Sequence, residues 1–115
     1  MIEQWIKEIK EECAPDMLGM ILVHNGIVRA TSKQGEPVGA MNLSYDRPAL
    51  DQAVRRFKGM EGIVDIRVWI NEGTLKIGDV IMNVCVAGRF RKDVLPVFQE
   101  LITLIKTAIV REVEL

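Results

Sequence analysis

Gly73–Thr107 reads GTLKIGDVIMNVCVAGRFRKDVLPVFQELITLIKT, and it passes without interruption from a turn through a strand and a cationic elbow into a long apolar helix. Val80, Met82, Val84 and Val86 alternate with Ile81, Asn83, Cys85 and Ala87, so both faces of the strand are mostly apolar. That is the pattern of a central strand covered on two sides. The strand stops at Ala87-Gly88, and Arg89, Arg91 and Lys92 follow at the start of the next helix. Positive charge at a helix N-terminus is unfavourable by roughly 0.3 kcal/mol or more per group. Two readings answer it: a phosphate or carboxylate held by helix N–H groups and Arg forks, or a nearby Asp or Glu. The helix is expected from about Asp93 to Val110. Val94, Val97, Phe98, Leu101, Ile105 and Ile109 spread over more than one stripe of it, which predicts burial on more than one side. Pro96 must lie in its first turn or kink it.

Upstream, Ile63–Asn71 alternates strictly, with Val64, Ile66, Val68 and Ile70 on one side and Asp65, Arg67, Trp69 and Asn71 on the other. The expectation is a half-exposed antiparallel strand. Before it, Leu50, Ala53, Val54 and Phe57 mark the apolar stripe of a helix from about Pro48 to Lys58, opened by Asp46 and closed by Gly59 and Gly62. Val38–Tyr45 reads as a strand with Met41, Leu43 and Tyr45 on one face, and the polar run Thr31–Pro37 as the best candidate for a mobile loop. Met17–Arg29 is strand-like, and Asn25-Gly26 within it is a tight turn or, as the immediate return of Ile27-Val28 favours, a bulge. At the start, Ile2, Trp5, Ile6, Ile9 and Cys13 form one stripe of a helix that Pro15 ends. The predicted order α-β-β-α-β-β-α indicates an α+β fold, helices packed on a mainly antiparallel sheet.

At 115 residues the chain is expected to be a single domain, residues 1–115, able to bury a core without metal or disulfide. Its 49% hydrophobic against 27% charged residues exclude disorder, and no apolar run approaches the length of a bilayer span. The N-terminal helix interleaves charge with apolar residues, unlike a secretory signal, so the expected location is cytoplasmic. Cys13 and Cys85 lie far apart with no CxxC, which predicts buried free thiols. A formal net charge of −1 argues against non-specific nucleic-acid binding and makes any anion site local.

Few residues offer chemistry. His24, the one histidine, is in phase with Leu18, Met20 and Leu22, and reads as a satisfied core or sheet-edge histidine rather than a ligand; no metal site and no catalytic triad can be assembled around it. Neither GxGxxG nor GxxxxGK[ST] occurs. Lys106, between Ile105 and Thr107, is either a partly desolvated amine with a lowered pKa, or a lysine reaching to water from a helix C-terminus.

Three blocks in order resemble the large, catalytic subunit of molybdopterin synthase: Gly19–Arg29 with its G-x-V-R ending Gly26-Ile27-Val28-Arg29; Gly73-Thr74-Leu75-Lys76-Ile77-Gly78-Asp79, like the family's G-x-L-x-x-G-D; and the elbow through Lys106-Thr107. The resemblance covers about Leu18 to Glu112. It implies an α/β hammerhead-type fold, a homodimer, and a complex with a small ubiquitin-like sulfur-carrier subunit ending in Gly-Gly thiocarboxylate. The implied reaction places two sulfurs on cyclic pyranopterin monophosphate, without a further cofactor. It assigns Lys106 and Arg29 to the chemistry, with Arg91, Arg89, Lys92 and Arg111 as substrate-binding cations. A non-catalytic dimeric relative that binds a phosphorylated pterin or a ubiquitin-like tail is the alternative. The chain has Phe90 and Ile70-Asn71 where the family has histidine-containing pairs, and Arg111 is the basic residue nearest the family's second lysine.

Overall fold

In the computed structural model, which describes all 115 residues, the elements in chain order are α1 (Ile2–Glu12), β1 (Met20–Ile27), β2 (Ala40–Tyr45), α2 (Arg47–Lys58), β3 (Ile63–Ile70), β4 (Gly73–Lys76), β5 (Val80–Gly88), α3 (Arg91–Leu104), a π-helical segment (Ile105–Ile109) and β6 (Val110–Glu114). The strands form two three-stranded antiparallel sheets, ordered β1-β5-β3 and β4-β2-β6. The class is α+β as expected, with two strands beyond the expected set: β4 falls in the stretch expected to be a connection, and β6 begins at Val110, where the last helix is expected to end and no further element is expected. No helix is long and apolar enough to cross a membrane.

β5 is central, and every residue from Ile81 to Gly88 is buried. Ridges of α2 and α3 cover one face of its sheet, where Val84, Val86, Val94, Leu101 and Phe57 are each at most 1% exposed. α1 covers the other face through Ile9, which is fully buried against Cys85 and Ala87. That second cover corrects the half-exposed reading of β3. Asp65, Arg67 and Trp69 do face away from α2, but Arg67 lies under α1, where it donates to Asp65 (2.9 Å), to Glu12 (3.1 Å) and to Glu8. Lys58 adds a bond to Asp65 at 3.1 Å. A buried carboxylate is tolerable only when so partnered, which is why Asp65 can be 8% exposed. Hydrogen bonds from Gln4 and Arg67 hold the Glu8 carboxyl below its ordinary range.

Asp46 caps α2 by accepting from the Ala49 N–H at 3.1 Å, and Pro48 occupies its first turn. Pro96 falls beyond the first turn of α3, inside the helix, where its missing N–H leaves the Lys92 carbonyl without an intrahelical donor. The stripe Val94, Val97, Leu101, Ile105 and Ile109 stays buried to the end, although the helix widens to π geometry at Ile105 and the chain becomes strand at Val110. At the sheet end beneath the elbow three backbones crowd together. A Cβ on Gly88 would meet the Gly62 carbonyl and the Val94 side chain, and Gly62 itself has φ +81°.

Candidate functional site

The end of β1 carries a register slip: Gly26 pairs with Met82 but Ile27 with Val80, so Ile81 is an extra residue on β5. The bulge expected near Asn25-Gly26 is therefore present, with its unpaired residue on the partner strand. Past it, Val28 is clamped to the Gly78-Asp79 turn, its N–H donating to the Asp79 carbonyl (3.0 Å) and its carbonyl accepting from the Gly78 N–H (2.9 Å). Asp79 in turn accepts from the Lys76 N–H at 2.8 Å, and Gly78 takes φ +89°, a conformation costly to other residues. The GTLKIGD block thus fixes the backbone one residue before Arg29. The Thr31–Pro37 loop is also bonded internally: Thr31 bridges Pro37, the Ser32 N–H donates to the Glu36 carbonyl at 2.8 Å, and Ser32 Oγ accepts from the Gln34 and Glu36 N–H groups, both at 3.2 Å.

These parts enclose a cleft of about 500 Å³. Its cations are Arg29, Lys33 and Lys106, its carboxylates Glu112 and Glu114, and its apolar wall Ile27, Met41 and Ile81. Lys106 is the second residue of the π segment, held between the buried anchors Ile105 and Ile109, while its own side chain is exposed. Of the two sequence readings, exposure fits the lysine that reaches to water. Glu112 and Glu114 pair with Leu43 and Met41 across β2, so they share the inward phase of that strand.

Arg29 and Lys106, distant in sequence, therefore meet in one cleft, whereas the other four candidate cations do not join them within the chain. Arg91 opens α3 and Lys106 follows its end, a separation of about 22 Å at the helical rise. Arg89, Arg91 and Lys92 stay at that far end. There Arg89 and Lys92 lie over the Phe90 ring at 4.5 and 5.9 Å, and Lys92 Nζ is 4.0 Å from Asp93. The Asp reading of the elbow thus finds its residue, although Arg89 Nε remains buried without a partner. Arg111 pairs with Ser44, an exposed position one place out of phase with Glu112, and so points away from the cleft. Both strand phases follow from β6, an element the periodicity did not predict.

His24 departs from the satisfied state expected of it. Its Nε2 is buried with no hydrogen-bond partner, and burial first, then the neighbouring Lys106 charge, push its pKa down. Glu112 and Glu114 carry no signal in the sequence as parts of this cleft; the register of β6 on β2 reveals them. Both cysteines are free. Burial raises the pKa of Cys13 and of Cys85, which suits neither thiol to nucleophilic work. No group of three His, Cys, Asp or Glu side chains is arranged to hold a metal ion.

A family model described as MoaE protein matches residues 2–108. An uncharacterized protein of Methanocaldococcus jannaschii, MJ0717, is 30% identical over 97 residues, 79% of this chain and 82% of that one. Among solved structures, molybdopterin synthase from Staphylococcus aureus is similar with a TM-score of 0.76 at 19% identity, covering 100% of this chain and 84% of that one. The complex of subunits 1 and 2 of molybdopterin-converting factor from Helicobacter pylori gives 0.73 at 19% identity, covering 98% and 77%. At such identities the structural likeness speaks for the fold.

Proposed function

Because the chain belongs to the MoaE protein family, we propose that it transfers sulfur from the C-terminal thiocarboxylate of a ubiquitin-like carrier protein to cyclic pyranopterin monophosphate. Its place is molybdenum cofactor biosynthesis, as the large-subunit chain of molybdopterin synthase. The observation that carries the reading is the meeting of Arg29 and Lys106 in one cleft, brought together by the bulge in the first sheet and the π turn after α3. Arg29 supplies a planar fork suited to a phosphate or thiocarboxylate oxygen. Lys106 supplies the amine closest to the reacting carbon, an ammonium to neutralise developing charge or, once deprotonated, a nucleophile or base.

The carrier is a small partner chain, as in the two-subunit complex from Helicobacter pylori. Its extended tail would enter the cleft with the thiocarboxylate against Arg29. The elbow cations Arg89, Arg91 and Lys92 are too distant to serve the cleft of their own chain, so in this reading they reach substrate in a homodimer, from a second copy. Arg111, on the outer face of β6, contributes only long-range charge.

The test is product formation from thiocarboxylated carrier and cyclic pyranopterin monophosphate. Lys106→Ala abolishes it and Arg29→Ala lowers it by at least about tenfold, the cost of a charge-assisted bond. Normal turnover by Lys106→Ala would exclude the assigned role. Binding of both substrates without any product from the unaltered chain would leave a binding module instead.

A further inference from the structure

The cleft holds both signs of charge, and neither sign is spent. The ion pairs of the chain involve Arg67, Lys58 and Lys92, whereas Arg29, Lys33 and Lys106 have no carboxylate within 4.0 Å, and Glu112 and Glu114 have no cation. Three cations against two carboxylates leave one net positive charge. A site for a simple anion gains nothing from two glutamates on its wall, because each repels the guest and draws off the field of Lys106 and Arg29. Two residues apart on one strand, they stand about 7 Å from each other on the same face. The wall beside them is Ile27, Met41 and Ile81, of which Met41 and Ile81 are nearly buried. A fitting guest is therefore anionic at one end, flat and apolar in its middle, and rich in hydrogen-bond donors at the other end.

We infer that Glu112 and Glu114 recognise the donor edge of a 2-amino-4-oxopteridine ring whose phosphate end is taken by Arg29 and Lys106. This rests on the reading under Proposed function and adds to it the residues that select the ring. The chemistry is specific. The 2-amino group and the adjacent ring N–H form two parallel donors, the geometry that the two oxygens of an ionised carboxylate accept, while a carboxylate has no donor to offer a ring with a carbonyl in that place. The flat ring lies against Met41 and Ile81, and the cations at the other end fix its direction.

The experiment is a fluorescence-quench titration of the full chain with three probes: 6-hydroxymethylpterin phosphate, its lumazine counterpart in which a 2-oxo group replaces the 2-amino group, and inorganic phosphate in competition. The unaltered chain is expected to bind the pterin about tenfold or more tighter than the lumazine, a difference typical of a charge-assisted bond gained or lost. In the Glu112→Gln, Glu114→Gln double variant, pterin affinity falls by about the same factor and the discrimination disappears. Inorganic phosphate binds that variant at least as well, since negative charge has left the site. Equal affinity of the unaltered chain for the two ring systems overturns the inference, as does undiminished pterin binding by the double variant. Failure of the unaltered chain to bind the pterin phosphate, with inorganic phosphate still bound, removes the parent reading as well. The first comparison needs no variant, so it holds however the substitutions affect folding.

Discussion

Ile9→Ala tests how α1 is fastened to the sheet. Ile9 is 0% exposed and packs with Cys85 and Ala87, the small buried cluster on the α1 side of β5. The substitution deletes three carbons, worth about 0.8 kcal/mol each in transfer alone, and the fixed sheet beneath cannot collapse to fill the space. A loss of about 3 kcal/mol follows, inside the range of roughly 2–5 kcal/mol found for such truncations. With a urea slope of about 2 kcal/mol/M, the midpoint falls by about 1.5 M. Trp5 on α1 and Trp69 on β3 report on the two sides of the contact. Far-UV circular dichroism and the fluorescence of a Trp69→Phe background, followed in the same titration, show whether α1 leaves before the sheet unfolds. The cleft lies on other elements, so phosphate affinity in dilute buffer stays unchanged. A stability loss below about 1 kcal/mol would refute the cavity argument and assign the docking of α1 to the Arg67 bridges instead.

Further perturbations address the other joints. Gly88→Ala places a methyl against the Gly62 carbonyl and Val94, costs about 1–3 kcal/mol and lowers Tm by at least about 3 °C by calorimetry; an unchanged Tm would show that the elbow yields freely. Asp79→Ala removes the acceptor for the Lys76 N–H, lowering stability by about 1 kcal/mol in urea and, through the released Val28 clamp, weakening phosphate binding at Arg29; a loss of stability with unchanged affinity would show that the turn does not place Arg29. His24 has a folded pKa below its unfolded value of about 6.5. The unfolded chain therefore binds more protons below that value, and stability present above it is lost as pH falls toward the folded pKa. Urea midpoints at pH 7.5 and 5.5 should differ less in His24→Phe than in the unaltered chain, and an equal difference in both would rule out His24 as a source of the slope.

The local patterns that made α1, α2 and β5 readable were those whose burial is decided within the element: an i, i+3, i+4 stripe, a cap at Asp46, an all-apolar strand. What escaped reading depended on partners. β6 has only Val110 and Val113 as apolar residues and follows the apolar helix with neither Gly nor Pro to mark the change, because the π turn ends the helix while keeping Ile105 and Ile109 on its buried stripe. β3 reads as half-exposed because Arg67 carries its charge under α1, and besides the nearby Asp65 its acceptors are Glu8 and Glu12, more than fifty residues earlier. In the cleft, Arg29 and Lys106 stood out in the sequence through motif resemblance. Glu112 and Glu114 had no signal of their own, since their direction is set by pairing with β2. His24 is legible as inward-facing, but its burial without a partner, close to Lys106, depends on how the last helix packs on β1.

The π turn also sets the phase between the lysine and the strand behind it. Deleting one residue between Lys106 and Ile109 would let regular winding resume with Lys106 still beside Ile105, and the change would be felt in β6, where a one-place slip against β2 turns Glu112 and Glu114 out of the groove.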